Sequence, residues 1–320
     1  MKLRFLIEES TSKNTHIVYH SADLDGKCGG AVIRYYVETV MGQTPNMIPY
    51  NHNEQTDFID DIDDGDNVYV VDISLSRKEM EQLNKRTFLT WFDHHKTSME
   101  ENNGLDIAGE QNSDMAGCGI AFKNLLETML PKEIREPVSN LIELFSDYDN
   151  WNVDKYGTME KYENTPMAIN IYMSTINTKP NTDDGWAMWK EFFTTGKVKG
   201  LSVEDILLKG REYKSIEDNK NRATVLNNAF EIKFEGLTGI MCFGVKSSNA
   251  FKAVYDESKH DMMIAVMVDK NKKYNFSLYG TDDNIDLSTI AKKYKGGGHQ
   301  HSCGFQANDI DFSGSELKII

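Results

Sequence analysis

The sequence contains few cysteines, and none of them belongs to a Cys-x-x-Cys pair. Cys28, Cys118, Cys242 and Cys303 lie far apart along the chain. This spacing argues against both a disulfide framework and a structural zinc site built on paired cysteines. We therefore expect buried or incidental thiols in a reducing compartment.

Long apolar runs are also missing. No run approaches the roughly 18 apolar residues that a membrane span requires. The first residues become acidic at Glu8, too early for a signal peptide. We therefore expect a cytoplasmic protein with no membrane partner. At 320 residues, and about 150 residues per domain, two domains are expected.

Positive charge is scarce. The chain has 35 Lys and Arg against 50 Asp and Glu, which gives a net charge of −15. This balance argues against a protein that coats long duplex nucleic acid through a basic face. Bound divalent cations invert the local field, so an acidic enzyme that acts on phosphates would need them.

Three runs rich in apolar residues predict strands, at 15–19, 67–71 and 87–92, with helical segments between them. This alternation predicts an α/β fold with a parallel sheet. Each strand is followed by candidate metal ligands, namely His20, Asp23 and Asp25, then Asp72, then Asp93, His94 and His95. Ligands bind at the carboxyl ends of the strands in such sheets. Carboxylates with imidazoles suit Mn, Zn or Fe.

Several of these features also have simpler interpretations. Asp23 or Asp25 can cap the helix that follows, and an Asp-His-His tripeptide can be a solvated loop. The acidic run from Asp57 to Asp66 is predicted to be a solvated turn. Ser113 or Asp114 is predicted to cap a helix whose first glycines, Gly117 and Gly119, allow either an approaching phosphate or tight packing.

The last part of the chain changes character at Ala229, after a long polar helix that we predict from Ser202 onward. We assign residues 1–184 to a catalytic domain, 185–228 to a helical linker and 229–320 to a second domain. The second domain holds Gly296, Gly297 and Gly298 directly before His299. Three glycines form either an anion-binding backbone or an ordinary loop.

Taken in order, these motifs resemble the DHH phosphoesterase superfamily with a C-terminal DHHA1 domain. The resemblance extends from residue 20 to residue 305, and is greatest to the oligoribonuclease (nano-RNase) and cyclic-nucleotide phosphodiesterase branch. It implies an N-terminal parallel-sheet domain with helices on both faces, a helical linker and a smaller C-terminal α/β domain.

The resemblance also implies two metal ions, usually Mn²⁺, with Mg²⁺ or Co²⁺ as alternatives. By motif match, one ion would be held by Asp25, Asp72, His94 and Asp147. The other would be held by Asp23 and Asp72, together with His20, so that Asp72 bridges the two. His20 departs from the family pattern, because it stands three residues before Asp23 where other members place it two or four before.

Two further sets of contacts follow from the resemblance. His95 would face the substrate phosphate, with Asp93 orienting the histidine pair. Gly296, Gly297, Gly298 and His299 would bind the far end of the substrate across an interdomain cleft. Relatives often have Arg in the strand before the Gly-rich loop, where this chain has Phe276-Ser277-Leu278-Tyr279. Tyr279 would stack on a base, or it is an ordinary sheet residue.

The resulting hypothesis is a metal-dependent phosphodiesterase that cleaves short single-stranded RNA into 5′-mononucleotides. Hydrolysis of cyclic mono- or dinucleotides is the nearest alternative, and a single-strand exonuclease is a further one. A silent nucleotide-binding scaffold is the alternative outside enzymes. The sequence leaves the assembly open, with a homodimer among the options.

Overall fold

The computed structural model describes residues 14–52 and 54–320. The acidic N-terminal start, on which the expectation about a signal peptide rests, lies outside these residues. The chain divides into two compact units, with the division between Tyr213 and Lys214. Each unit has its own sheet and its own buried core.

The first unit is built on a five-stranded sheet in which every strand pair is parallel. Its strands, in chain order, are β1 (Thr15–His20), β2 (Asn46–Tyr50), β3 (Asn67–Val71), β4 (Phe88–Asp93) and β5 (Ala108–Gln111). Their order across the sheet is β2-β1-β3-β4-β5. The three predicted strands and the parallel sheet are therefore confirmed.

Helices cover both faces of this sheet. The α-helices that the described residues place wholly or partly in the first unit are α1 (Leu24–Tyr36), α2 (Arg77–Arg86), α3 (Lys96–Glu101), α4 (Gly117–Leu125), α5 (Lys132–Asp149), α6 (Val153–Tyr156), α7 (Met159–Tyr162), α8 (Ala168–Ser174), α9 (Asp183–Thr195) and α10 (Val203–Asn228). Successive side chains of a strand point to opposite faces. Accordingly, Ile17 and Tyr19 pack in the core with α1, α4 and α5, whereas Val18 packs in the core with α2.

The predicted linker includes part of the first unit's core. Trp189, Phe192 and Phe193 of α9 are fully buried in the same core as α1 and α5. The predicted boundary at residue 184 does not coincide with a boundary between units, because this aromatic face has to be covered. Only α10 crosses the division at residues 213–214.

The second unit contains an eight-stranded mixed sheet. Its strands are β6 (Phe230–Phe234), β7 (Leu237–Phe243), β8 (Met262–Val268), β9 (Tyr274–Tyr279), β10 (Gly297–His299), β11 (Ser302–Ala307), β12 (Ile310–Ser313) and β13 (Glu316–Ile319). The order is β10-β11-β9-β8-β7-β6-β13-β12. Helix α11 (Leu287–Lys293) packs its apolar side chains into the core of this sheet.

The cysteines behave as the sequence predicts. All four are free and buried. Among the described residues, no helix has both the length and the apolar character needed to cross a bilayer.

The acidic run at 57–66 is only partly a solvated turn. Its first five aspartates are exposed, but Asp66 is 1% exposed. One oxygen of Asp66 lies 3.0 Å from His16 Nε2, and the same oxygen accepts a hydrogen bond from the Asp63 backbone N–H. The prediction was wrong for Asp66, because His16 of β1 supplies the partner that allows a carboxylate to be buried.

Candidate metal centre

The carboxyl ends of β1, β3 and β4 lie side by side, because the strand order places β3 between the other two. β1 ends at His20, β4 ends at Asp93, and Asp72 directly follows β3. The sheet therefore brings together three side chains that are up to 73 positions apart in the sequence.

His20, Asp23 and Asp72 form one group that can hold a metal ion. His20 Nδ1 lies 2.9 Å from Asp23 Oδ2 and 3.3 Å from Asp72 Oδ2. The other oxygen of Asp23 accepts a hydrogen bond from the Gly26 backbone N–H at the start of α1. Capping and a role in the site are therefore compatible, since they use different oxygens. Hydrogen bonds to Asp23 and Asp72 raise the pKa of His20 to about 10.

Gly26 allows α1 to begin this close to the strand end. A Cβ at this position would lie 2.1 Å from the backbone oxygen of His20. The backbone cannot yield as a flexible side chain would, so any other residue would displace His20 from the site.

Asp72 lies at the centre of the site. It is 1% exposed, and its φ of 58° lies in the left-handed region that residues other than glycine seldom adopt. Its Oδ2 faces His20, while its Oδ1 lies 3.1 Å from His94 Nε2. Burial opposes ionisation of Asp72, but hydrogen bonds from His20 and His94 outweigh it and hold its pKa below the ordinary value. One carboxylate thus serves two groups of ligands.

His94 is oriented to present a nitrogen lone pair to carboxylates. Its Nδ1 lies 3.1 Å from the side-chain oxygen of Asn150, so Nδ1 carries the proton and donates it to that oxygen. Its Nε2 lies 3.1 Å from Asp72, 3.2 Å from Asp149 and 3.7 Å from Asp25.

The space around His94 Nε2 fits a cation. Neither Nε2 nor Asp72 Oδ1 has a hydrogen-bond partner among the described residues, although both are buried. A lone pair surrounded by anionic oxygens is stabilised by a proton or by a metal ion. Burial lowers the pKa of His94, but the nearby Asp72 carboxylate outweighs it and raises this pKa above the ordinary value.

Asp25 occupies the N-terminus of α4. Its carboxylate accepts hydrogen bonds of 2.8 Å from Gly117 N–H and 2.7 Å from Cys118 N–H. These are the N–H groups that we considered available for a phosphate, so the tight-packing alternative is the one observed. A Cβ on Gly117 would lie 2.8 Å from Asp72 Cβ. Burial, and then repulsion from Asp72, raises the pKa of Asp25 well above its ordinary value.

The start of α4 also differs from the prediction. The N-cap residue is Ala116, not Ser113 or Asp114. A carboxylate from another element, Asp25, satisfies the first N–H groups of this helix and makes a local capping side chain unnecessary.

Two carboxylates near the end of α5 have different environments. One oxygen of Asp147 accepts from Asn152 Nδ2 at 3.0 Å, and the other accepts from Lys155 Nζ at 2.7 Å and Tyr156 OH at 2.6 Å. Asp149 instead groups with Asp25 and His94 as a set that can hold a metal. Residues two apart on a helix point about 200° apart. The structure therefore places Asp149, and not Asp147, beside the other predicted ligands.

Asp93 and His95 form a second pair at the end of β4. Asp93 is fully buried, and its Oδ1 accepts hydrogen bonds from the backbone N–H groups of His94 and His95. The same oxygen lies 2.7 Å from His95 Nδ1, which fixes the proton on that nitrogen and leaves Nε2 as the acceptor. The bond to Asp93 also raises the pKa of His95. The orienting role of Asp93 stays a prediction.

His52 is a neighbour of the site that the sequence interpretation missed. Its ring centroid lies 5.5 Å from that of His20 and 6.2 Å from that of His95. It follows strand β2, which was not predicted; this strand contains Pro49, a residue that strands seldom include. Had β2 been predicted, His52 would have been a candidate site residue, because it follows the carboxyl end of a strand.

The predicted substrate residues of the second unit are placed as follows. A Cβ on Gly296 would lie 2.1 Å from the Gly304 oxygen, and Gly298 has a φ of 128°, so both glycines are required by the β10–β11 hairpin. Gly297 and His299 are exposed. Tyr279 donates its hydroxyl hydrogen to the Lys246 oxygen at 2.7 Å. Substrate contacts by these residues stay a prediction.

Asp149 gives the metal-free protein a pH-dependent stability. Burial, and then repulsion from Asp72, raises the pKa of Asp149 from 3.8 to about 6. A carboxyl group whose pKa is raised by folding favours the fold when protonated, and this contribution is lost as pH rises through the folded-state value. We therefore expect Asp149→Asn to become more stable relative to the wild type as pH increases from about 4 to about 6.

Urea unfolding with a chelator present, measured at intervals between about pH 4 and about pH 8, provides the test. The difference in free energy of unfolding between the two proteins should grow from about pH 4 to about pH 6 and level off at higher pH. A difference that is constant with pH would contradict the environment assigned to Asp149.

Comparison with known proteins gives structural likeness only. No protein-family model matches the sequence. Curated protein sequences yield no match either.

Three solved structures illustrate the likeness. A pGpG-specific phosphodiesterase, PggH, from Vibrio cholerae shares 11% identity, with a TM-score of 0.46 and coverage of 92% of this chain and 93% of that chain. The DHH domain of a member of a family of ribosomal proteins shares 14%, with a TM-score of 0.49 and coverage of 91% and 82%. RecJ from Thermus thermophilus, in complex with Mg²⁺, shares 13%, with a TM-score of 0.39 and coverage of 91% and 46%. At these identities and TM-scores, we base the function on the geometry of this chain's own site.

Proposed function

We propose that this chain is a DHH-type phosphoesterase that uses two divalent metal ions to hydrolyse phosphodiester bonds in short nucleotides. The observation that carries this proposal is the position of Asp72. Its two oxygens face two different groups of ligands, and its Oδ1 is buried without a hydrogen-bond partner among the described residues. A carboxylate between two groups of ligands would be able to bridge the ions of a two-metal site.

The two ions would be held by different residues. Asp25, His94 and Asp149 would hold one, with Asp72 Oδ1 as a further ligand. His20, Asp23 and Asp72 Oδ2 would hold the other. This assignment replaces Asp147 with Asp149 and includes His20, whose nitrogen lies within 3.3 Å of both carboxylates.

The chemistry of these ligands suits Mn²⁺, with Mg²⁺ or Co²⁺ as alternatives. Four carboxylates in these groups carry four negative charges, which two divalent ions would neutralise. When bound, such ions supply Lewis acidity and a nucleophile at neutral pH. The net negative charge of the chain disfavours phosphate binding, so we expect its affinity for a phosphate to depend on the ions.

The residues beside the ligands would position the substrate. His95 is 34% exposed, and Asp93 holds its ring through Nδ1. The outer nitrogen of His95 would contact the phosphate, while Asp93 fixes the direction of the ring. His52 lies close enough to contribute to the same contact.

The substrate we propose is short single-stranded RNA, cut into 5′-mononucleotides. A net charge of −15 gives a long polyanion little attraction outside the metal site. A substrate of a few nucleotides can bind through the metal site alone and needs no further basic surface. Hydrolysis of cyclic mono- or dinucleotides is the alternative outcome of the same test.

The test is a panel of substrates assayed with Mn²⁺ under one set of conditions. It contains linear diadenylate, a cyclic dinucleotide, 3′,5′-cyclic AMP and a single-stranded 24-mer. We expect diadenylate to be converted to AMP with the highest kcat/KM. Faster turnover of the 24-mer or of a cyclic substrate would overturn the short-RNA assignment, and no turnover of any substrate would overturn the enzyme assignment.

A further inference from the structure

Trp151 has an unusual conformation next to the candidate metal centre. Its side chain is 56% exposed, and its φ of 53° lies in the left-handed region. Glycine or asparagine fits that region more easily than a bulky side chain does. A strained backbone that persists at the edge of a site is a reason to look for a function.

The chain immediately before Trp151 belongs to the site. Asp149 lies 3.2 Å from His94 Nε2, and Asn150 accepts the His94 Nδ1 hydrogen bond. Two residues of extended chain span at most about 7 Å, so Trp151 follows the ligand closely in space. A nucleotide whose phosphate lies at the metal centre is longer than this distance, so its base can reach Trp151.

Asp147 holds the turn that carries Trp151. Its backbone oxygen accepts from Asn152 N–H at 2.9 Å. Its carboxylate accepts from Asn152 Nδ2, Lys155 Nζ and Tyr156 OH, and it is only 4% exposed. Four hydrogen bonds from the far side of the turn offset the strain at Trp151. Asp147, which does not join the metal ligands, thus positions the turn that carries Trp151.

The indole ring packs against a tyrosine ring. It meets the Tyr162 ring at a centroid distance of 5.1 Å and an angle of 60°. Tyr162 itself is fully buried, and its hydroxyl donates to the Tyr148 oxygen. A fixed aromatic ring therefore supports an exposed indole, which leaves most of the indole surface available to a ligand.

Resting on the proposed function, we infer that Trp151 stacks on a nucleobase of the substrate, with its phosphate at the metal centre. Aromatic side chains recognise bases in this way with little preference for sequence, because every base has a π face. Purines offer the larger surface. The ligand class is thus a 5′-nucleotide or a short oligonucleotide, and not a sugar phosphate.

Two variants separate stacking from a structural role. Trp151→Asn removes the ring and suits the left-handed backbone, so its thermal unfolding midpoint should equal or exceed that of the wild type. Trp151→Phe keeps an aromatic ring. If Trp151 served only to cover Tyr162, then Trp151→Asn would unfold at a lower temperature and bind nucleotides normally.

Calorimetric titration of the Mn²⁺-loaded protein with AMP and with ribose 5-phosphate tests the inference directly. We expect the wild type to bind AMP about tenfold or more tightly than ribose 5-phosphate, the range that one base stack supplies. Trp151→Asn should lose this preference and Trp151→Phe should keep most of it. Equal binding of the two ligands by the wild type, or an unchanged preference in Trp151→Asn, would overturn the inference.

These outcomes are independent of catalysis. If diadenylate is not hydrolysed but the AMP preference depends on Trp151, the stacking role stands and the proposed function fails. If diadenylate is hydrolysed and Trp151→Asn binds AMP normally, the proposed function stands and the stacking role fails.

Discussion

Replacing Asp72 with asparagine is expected to abolish phosphodiester hydrolysis while leaving the protein folded. Asparagine has the same shape and tolerates the φ of 58° at this position. It cannot supply the negative charge that lies between His20 and His94. If the metal ions no longer stabilise the transition state by several kcal/mol, kcat/KM should decrease on the order of 10³-fold or more.

Far-ultraviolet circular dichroism and urea unfolding would verify the fold of the Asp72→Asn protein. Asp60→Asn is the matched control, because Asp60 is an exposed aspartate in the acidic run of the first unit. Its kcat/KM should equal that of the wild type. An Asp72→Asn protein that retains more than about a tenth of wild-type activity would be incompatible with a bridging role.

The second large effect distinguishes Asp149 from Asp147. Asp149→Asn should lower kcat/KM by about 10²-fold or more, because a charged group beside His94 Nε2 is lost from one set of metal ligands. Asp147→Asn should keep kcat within about tenfold of the wild type. It should instead lower the free energy of unfolding by about 1–3 kcal/mol, since it weakens charge-assisted hydrogen bonds from Lys155 and Tyr156.

Each variant serves as the control for the other, because the two residues are of one type and lie on the same helix. Steady-state kinetics with diadenylate and urea unfolding would be measured on both. The reverse pattern, with activity lost in Asp147→Asn and retained in Asp149→Asn, would restore the assignment that the motif order alone suggests.

Much of the site could be predicted, because it depends on strand ends. Apolar runs that finish in polar side chains marked His20, Asp72 and Asp93 in the sequence. A parallel sheet then brings such ends to one edge. The structure adds the order β2-β1-β3-β4-β5, which places β3 between β1 and β4 and brings these three residues together.

The choice between Asp147 and Asp149 could not be made in this way. Both belong to the same short segment, Ser146-Asp147-Tyr148-Asp149, and both follow a helical pattern. What decides between them is the turn after α5, where Asn152, Lys155 and Tyr156 fold back onto Asp147. Such contacts depend on a left-handed residue, Trp151, which no local rule assigns to tryptophan.

The start of α4 shows a similar limit. Gly117 and Gly119 are compatible with an approaching phosphate, and the sequence does not reveal that Asp25 already binds the free N–H groups. The sequence could have shown that α9 belongs to the core of the first unit. Its face contains Trp189, Phe192 and Phe193, which is too apolar for an exposed linker.

The number of Mn²⁺ ions bound per chain tests the central claim most directly. Metal-free protein would be titrated with Mn²⁺, and bound metal would be counted after equilibrium dialysis for the wild type and for Asp72→Asn. We predict two ions per wild-type chain, and loss of both tight sites in Asp72→Asn because one carboxylate oxygen faces His20 and the other faces His94. A single ion in the wild type, or two tightly bound ions in Asp72→Asn, would contradict the assignment of Asp72 as the bridge.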